Sequence, residues 1–147
     1  MSEAPALAET AAGVLYVGFW ARVGAALIDT LVVMFVVVPL LVWYFGSGWA
    51  FATGFAAFTI NYVLPGAAIV AFWIARGATP GKMAISAIIV DADTFAEPTP
   101  ARLIARYLGY YVSLIPFGIG LIWVAFDARK QGWHDKIANT VVIKGRR

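Results

Sequence analysis

The sequence predicts an all-α membrane protein with two transmembrane helices, a third apolar segment and a small cytoplasmic cap. Hydrophobic residues make up 62% of the 147 residues and charged residues only 13%. Soluble domains are roughly 45–50% apolar and about 25% charged. Two long runs carry almost no charge, and most of the basic residues follow them. A chain of this length forms one domain, and so few charges would hardly cover the surface of a soluble sphere.

The first predicted span covers residues 23–45, in which Asp29 is the only charge. At 1.5 Å per residue this run is about 34 Å long, enough to cross a bilayer with some tilt. Arg22 stands at its start, where its side chain is able to snorkel to the lipid headgroups.

The second predicted span covers residues 50–75 and contains no charge, and the uncharged residues 46–49 form the turn before it. Asn61 and Pro65 lie four residues apart in its interior. Pro65 has no N–H, so the Asn61 carbonyl loses its usual partner. We therefore expect a broken helix with free carbonyls at this point.

The third apolar run, residues 107–126, is interrupted by Pro116, Gly118 and Gly120. It is able to cross the bilayer once, or to fold back as a re-entrant hairpin with its tip near 116–120. Basic residues lie on both sides of this run and none lies in residues 46–75. The positive-inside rule then places both basic regions and the N-terminus in the cytoplasm and favours the hairpin.

Two further local predictions follow for the cap. The β-prone runs 84–90 and 140–143 are able to pair on one side of the hairpin. Thr99 is a candidate N-cap for a helix that starts near Ala101. Residues 1–18 are predicted to be a flexible tail without a cleaved signal, and residues 19–147 to be the membrane domain.

Asp29 is the strongest candidate for function, because a carboxylate within an apolar span is costly and is usually retained for a purpose. It is expected to relay protons or to bind a cation. The alternative is a structural lock in which Asp29 pairs with Arg106, Lys82 or a partner subunit. Arg22 is seven residues away, too far for direct contact along one helix, so each charge needs another partner, a water-filled cavity or a neighbouring chain.

The tail offers a second candidate cluster. His134 is of a residue type that titrates near neutrality, and Asp135 follows it, so the pair is a candidate for metal binding or acid–base work. The alternative is a packed turn in which Asp135 caps residues 136–139. Asp127 lies where the third run meets water, and we interpret it as part of an interfacial charge cluster.

Nothing in the sequence indicates an enzyme, a cofactor or a metal centre. The chain has no cysteine and one histidine, and it lacks Gly-x-Ser-x-Gly and His-Glu-x-x-His motifs. The glycine-rich segment 77–83 resembles a phosphate-binding loop but is one residue short and has no Ser or Thr after Lys82. The predicted partners are the lipid bilayer and other membrane proteins, and no nucleic acid.

Three segments in order, residues 19–29 (FWARVGAALID), 77–82 (GATPGK) and 131–142 (QGWHDKIANTVV), make the chain resemble the RDD family. These are small bacterial membrane proteins named for one Arg and two Asp. The resemblance assigns the Arg to Arg22, the first Asp to Asp29 and the second to Asp135, with Asp127 as the other choice. One departure is Asn139, where the family's small turn would carry glycine.

The resemblance implies a multi-pass protein of the inner (plasma) membrane without an established cofactor or reaction. Transport, including monovalent cation/proton exchange, has been proposed for the family, and its domain also occurs as an accessory module. We therefore expect a transport role centred on Asp29, in which a chain this short would need to form a homo-oligomer. The alternative is a non-catalytic module that binds and stabilises a partner membrane protein.

Overall fold

A computed structural model describes residues 13–145, and every structural statement below refers to these residues. The chain forms six helices and two strands in the order α1 (Phe19–Phe45), α2 (Phe55–Arg76), α3 (Pro80–Ala84), β1 (Ala87–Asp91), α4 (Pro100–Leu114), α5 (Ile119–Ile122), α6 (Trp133–Ile137) and β2 (Thr140–Lys144). Short 3₁₀ turns follow α1 and α5. The predicted behaviour of residues 1–12 lies outside the described part of the chain.

Among residues 13–145, two helical segments are long and apolar enough to cross a bilayer: Phe19–Phe51, which is α1 with its 3₁₀ extension, and α2. The bent pair Pro100–Leu114 and Ile119–Ala125 makes a third if it is counted as one span. The connection between them differs from the predicted turn at residues 46–49. Gly46, with φ +62°, ends the α-helix, but the backbone continues as a 3₁₀ helix to Phe51. The chain reverses at residues 52–54, where Gly54 has φ +92°, a conformation that glycine adopts without a steric penalty.

The predicted break in the second span is wrong, because α2 runs through Asn61 and Pro65 as one helix. Residues Thr59–Val63 form a single π-helical turn just before Pro65. A widened turn of this kind accommodates a residue that cannot donate its backbone N–H. The side-chain amide of Asn61 donates to the Ala57 carbonyl oxygen at 2.9 Å.

The two β-prone runs do pair, as an antiparallel two-stranded sheet with Ala87 opposite Lys144 and Asp91 opposite Thr140. The segment before α1 joins this sheet through a bridge between Tyr16 and Ile143. Val17 is 2% exposed and donates its N–H to the Val142 carbonyl. Residues 16 and 17 therefore pack on the sheet before α1 begins.

The third apolar run folds back on itself. Thr99 caps α4 as predicted, and its hydroxyl accepts from the Arg102 backbone N–H. The chain bends by 114° between α4 and the segment Ile119–Ala125. Gly120 permits the close return, because a Cβ there would lie 2.7 Å from the Ser113 Cα. The predicted turn at residues 116–120 is therefore present.

The sheet fixes which chain ends lie together. It joins residues before α1, residues after α2 and residues after α5. Both ends of the α1–α2 hairpin and both ends of the α4–α5 hairpin therefore meet at one face, which we call the cap. The largest core cluster lies in this cap, with Trp73, Ile89, Leu103 and Val142 buried together. Large apolar side chains farther along the hairpin stay exposed, such as Phe35 at 80% and Trp43 at 81%.

Candidate functional site

The centre of the cap is a buried ion cluster formed by Arg22, Arg106 and Asp135. Nη1 of Arg22 donates to Oδ2 of Asp135 at 2.6 Å, and Nη1 of Arg106 donates to Oδ1. The side chains of Asp135 and Arg106 are fully buried. One carboxylate thus joins the start of α1 to α4 and α6.

Local backbone structure places Asp135 in this cluster. The extended Gly132 precedes α6, and Asp135 is the third residue of that helix. Its Oδ2 accepts the Gly132 backbone N–H at 3.0 Å. Asp135 therefore caps a buried turn, as the packed-turn alternative expected, but it does so from inside the first turn of α6 and not from before residue 136.

Arg22 holds three parts of the chain at once. Besides Asp135, its guanidinium donates to the Val17 carbonyl at 3.0 Å and to the Lys130 carbonyl. Its side chain is only 12% exposed. Arg22 therefore points into the cap and does not snorkel to headgroups as the sequence suggested.

Two titratable groups at the cluster have shifted pKa values, its own member Asp135 and the neighbouring His134. Burial alone would raise the pKa of Asp135, but the guanidinium groups of Arg106 and Arg22 hold it well below its usual range. Burial lowers the pKa of His134 to about 3. His134 is therefore neutral at neutral pH, where it stacks on Tyr110 with ring centroids 4.0 Å apart. This geometry gives no support to acid–base work by His134 near neutrality.

Asp29 has different partners from those predicted. Its Oδ2 accepts the Thr79 hydroxyl at 2.5 Å, and its Oδ1 accepts the Gly81 backbone N–H at 2.7 Å. Among residues 13–145, no basic side chain lies within ion-pair distance of it. Arg106 belongs to the buried ion cluster, and the Lys82 ammonium lies 6.0 Å from the Trp73 ring centroid.

These contacts also fix the level of Asp29 along the hairpin. Thr79 and Gly81 follow the end of α2 at Arg76. Asp29 therefore lies at the cap end of the paired helices and not midway along them. Gly81 is needed for this approach, because a Cβ there would lie 1.9 Å from the Ala25 carbonyl oxygen.

A cavity of about 130 Å³ begins at Asp29 and runs between α1 and α2, and we call it the α1–α2 cavity. Thr79 and Pro80 close the cap end beside Asp29. The rest of the lining is apolar: Val32, Val33, Val36 and Val37 from α1, and Leu64, Pro65, Ala68, Ile69 and Phe72 from α2. Pro65 therefore does reach the same cavity as Asp29, whereas Asn61 is absent from its lining.

Asp127 lies apart from the buried ion cluster. It pairs with Lys136 at 2.6 Å and accepts the backbone N–H groups of Arg129 and Gln131 at 3.1 Å. Burial alone would raise the pKa of Asp127, but these partners lower it below its ordinary value. Asp127 therefore forms a charge cluster with Lys136, and its place at a membrane interface stays a prediction.

Several residues of the site were not identified as such from the sequence. Thr79 and Gly81 lie within the segment 77–82, but the sequence predicted no contact for either of them with Asp29. Arg106 was predicted only as a partner for Asp29. The Thr140 hydroxyl accepts from Arg106 at 2.8 Å. For Thr79, Gly81 and Thr140 the available signal was their place in the three segments that resemble the RDD family, and Arg106 lies outside those segments. Contacts between distant segments are not encoded in spacing.

Comparison with known proteins identifies the family of this chain. The family model described as "RDD family" matches residues 16–139, most of the chain. The chain belongs to the RDD family. Family membership and the two apolar helices indicate a membrane protein. Asn139, the noted departure from the family pattern, has φ +51°, a left-handed conformation that asparagine tolerates better than most residues other than glycine.

One curated relative of this RDD chain is the "Uncharacterized protein RP437" of Rickettsia prowazekii (strain Madrid E). The two are 41% identical over 87 residues, which is 59% of this chain and 48% of the relative. The match thus spans about half the length of the relative. No solved structure matches the chain.

Proposed function

We propose that this RDD protein is a multi-pass inner-membrane protein with a cytoplasmic cap that acts as a non-catalytic binding module. The single observation that carries the proposal is the closure of the buried ion cluster. The Asp135 carboxylate is paired with two guanidinium groups inside the chain and is fully buried. Charges paired and buried in this way are costly to separate and are not free to meet a substrate.

Membrane placement is supported by the exposed apolar surface of α1 and α2. Contiguous apolar surface on this scale is rare on soluble monomers and indicates a membrane or protein interface. Because the sheet brings both ends of each hairpin to one face, a cap on one side of the bilayer requires each hairpin to enter and leave the bilayer on that side. Ten of the eleven basic residues occur from Arg76 onward, which supports a cytoplasmic cap.

The position of Asp29 argues against a transport pathway through a single chain. A proton or cation relay needs a group that both sides of the membrane reach, whereas Asp29 lies level with the cap-side residues Thr79 and Gly81. The α1–α2 cavity beyond it is lined by aliphatic and aromatic side chains. Such a lining provides no oxygen ligands to replace the hydration shell of an alkali cation.

Transport by a homo-oligomer is the second candidate function. It is favoured by one observation: among the described residues, no basic group neutralises the Asp29 carboxylate. A half-buried carboxylate without a cationic partner is a suitable ligand for a cation.

Reconstitution separates the two candidates. The full chain is inserted into vesicles, and a pH gradient is imposed across their membrane. Na⁺ or K⁺ is then added, and the decay of the pH gradient is followed with a pH-sensitive dye. We expect no cation-dependent flux above that of empty vesicles for the wild type, for Asp29→Asn or for the control Asp93→Asn in an exposed loop. A cation-dependent flux that is present in the wild type and in Asp93→Asn but absent in Asp29→Asn would establish transport. It would overturn the proposal that the protein is a binding module.

A further inference from the structure

We propose that the α1–α2 cavity binds one acyl chain of a bilayer lipid whose head ends in a primary ammonium, with that ammonium on Asp29. The inference rests on the membrane placement proposed above and adds a ligand class to it. Three features of the described residues carry it: an elongated apolar cavity, a carboxylate at one end and an exposed arginine beside that end.

The shape and lining of the cavity fit an acyl chain. From Asp29 to Val37 the lining of α1 extends over eight residues, which corresponds to about 12 Å along a helix. A dry apolar cavity of similar size accepts apolar molecules in preference to water. Val36, Ala68 and Phe72 in the lining are themselves exposed on the flank of the hairpin. The cavity therefore opens sideways, where a membrane would supply lipid.

The cap end of the cavity has unused capacity to accept hydrogen bonds. Within the described part of the chain, each Asp29 oxygen receives one donor, from Thr79 or Gly81, whereas an ionised carboxylate has about four acceptor sites. Among residues 13–145, no basic side chain pairs with it. A ligand that brings both positive charge and N–H donors is the best complement, since charge-assisted hydrogen bonds are the strongest available.

Arg76 supplies the opposite charge at the same end. It is the last residue of α2 and lies four residues after Phe72, which lines the cavity. Residues at this spacing share one helix face. Arg76 is exposed, and within the described residues it makes no ion pair. A carboxylate in the cavity and an exposed arginine one helical turn beyond its lining match a zwitterionic head of ammonium and phosphate.

Two lipids with the same net charge test the assignment. The full chain is purified in detergent and titrated with phosphatidylethanolamine or phosphatidylcholine of equal chain length, and bound lipid is counted by native mass spectrometry. The quaternary head of phosphatidylcholine has no N–H to donate. We expect the wild type to bind phosphatidylethanolamine about tenfold more tightly, the effect of one charge-assisted hydrogen bond.

Variants separate the head site from the chain site. Asp29→Asn should reduce the preference between the two lipids to near unity. Ala68→Phe fills the cavity and should weaken both lipids severalfold, whereas Ala71→Phe, an exposed alanine of the same helix outside the cavity lining, should leave both unchanged. The Ala68 and Ala71 pair still decides the question if Asp29→Asn does not fold, since binding unchanged by Ala68→Phe would contradict the proposal.

Equal binding of the two lipids by the wild type, or a preference that survives Asp29→Asn, would overturn this inference. Flotation of the chain with lipid vesicles tests the membrane placement separately. A chain that does not float contradicts the proposed function itself. A chain that floats without the lipid preference contradicts only the lipid site.

Discussion

Replacing Asp135 by alanine is expected to destabilise the protein by about 3–5 kcal/mol, the cost of removing one partner from a buried ion pair. The change leaves the guanidinium groups of Arg22 and Arg106 to repel each other, because the carboxylate that both of them bind is gone. Small domains are stable by only about 5–15 kcal/mol in total. Much less folded protein should therefore be recovered, with a large loss in the free energy of unfolding measured by denaturant titration in detergent.

Asp127→Ala is the matched control for this prediction. Asp127 also pairs with a base, but its partner Lys136 is 47% exposed. Partly exposed pairs contribute about 1 kcal/mol or less. Equal losses for Asp135→Ala and Asp127→Ala would show that burial of the ion cluster does not matter for stability. Asp135→Asn keeps an acceptor oxygen but no charge, so its loss in the free energy of unfolding should lie between those of Asp127→Ala and Asp135→Ala.

Replacing Gly81 by alanine is expected to cost about 3 kcal/mol or more. The added Cβ would lie 1.9 Å from the Ala25 carbonyl oxygen and 2.9 Å from the Asp29 Cγ. Since the first of these is backbone, α3 has to move away from α1. Overpacking alone costs about 1–3 kcal/mol, and the movement also weakens the charge-assisted bonds from Gly81 and Thr79 to Asp29.

Gly24→Ala provides the control within α1. A Cβ at Gly24 meets nothing within 4 Å, and alanine is preferred over glycine in a helix by up to about 1 kcal/mol. The melting temperature in detergent should therefore fall for Gly81→Ala and stay level or rise for Gly24→Ala. A melting temperature for Gly81→Ala equal to that of the wild type would contradict the close packing of α3 on α1.

Features with local causes were predictable from the sequence. The two long helices follow from uninterrupted apolar runs, and the turn at residues 116–120 follows from one proline and two glycines. The N-cap at Thr99 needs only residues of its own helix. The pairing of the two strands followed from β-prone composition combined with charge placement, which put both runs on one side.

Features that depend on contacts between distant segments were not predictable. Arg106 and Asp135 are 29 residues apart, and Asp29 and Thr79 are 50 apart. Apolar periodicity does not indicate which acid meets which base. The break expected at Pro65 was wrong for a different reason, because a π turn accommodates a proline without interrupting the helix. The turn at residues 46–49 was misplaced because glycine permits a 3₁₀ extension as readily as a reversal.

The most direct test of the central claim is the side of the membrane on which residue 144 lies. The chain has no cysteine, so single variants Thr53→Cys, Asp93→Cys and Lys144→Cys carry one reactive thiol each. Intact spheroplasts are treated with a membrane-impermeant maleimide. The account predicts that Thr53→Cys is labelled at once and that Asp93→Cys and Lys144→Cys are labelled only after permeabilisation. Labelling of Lys144→Cys from outside, with Asp93→Cys still protected, would mean that residues 100–126 cross the membrane once, and would contradict the shared cap.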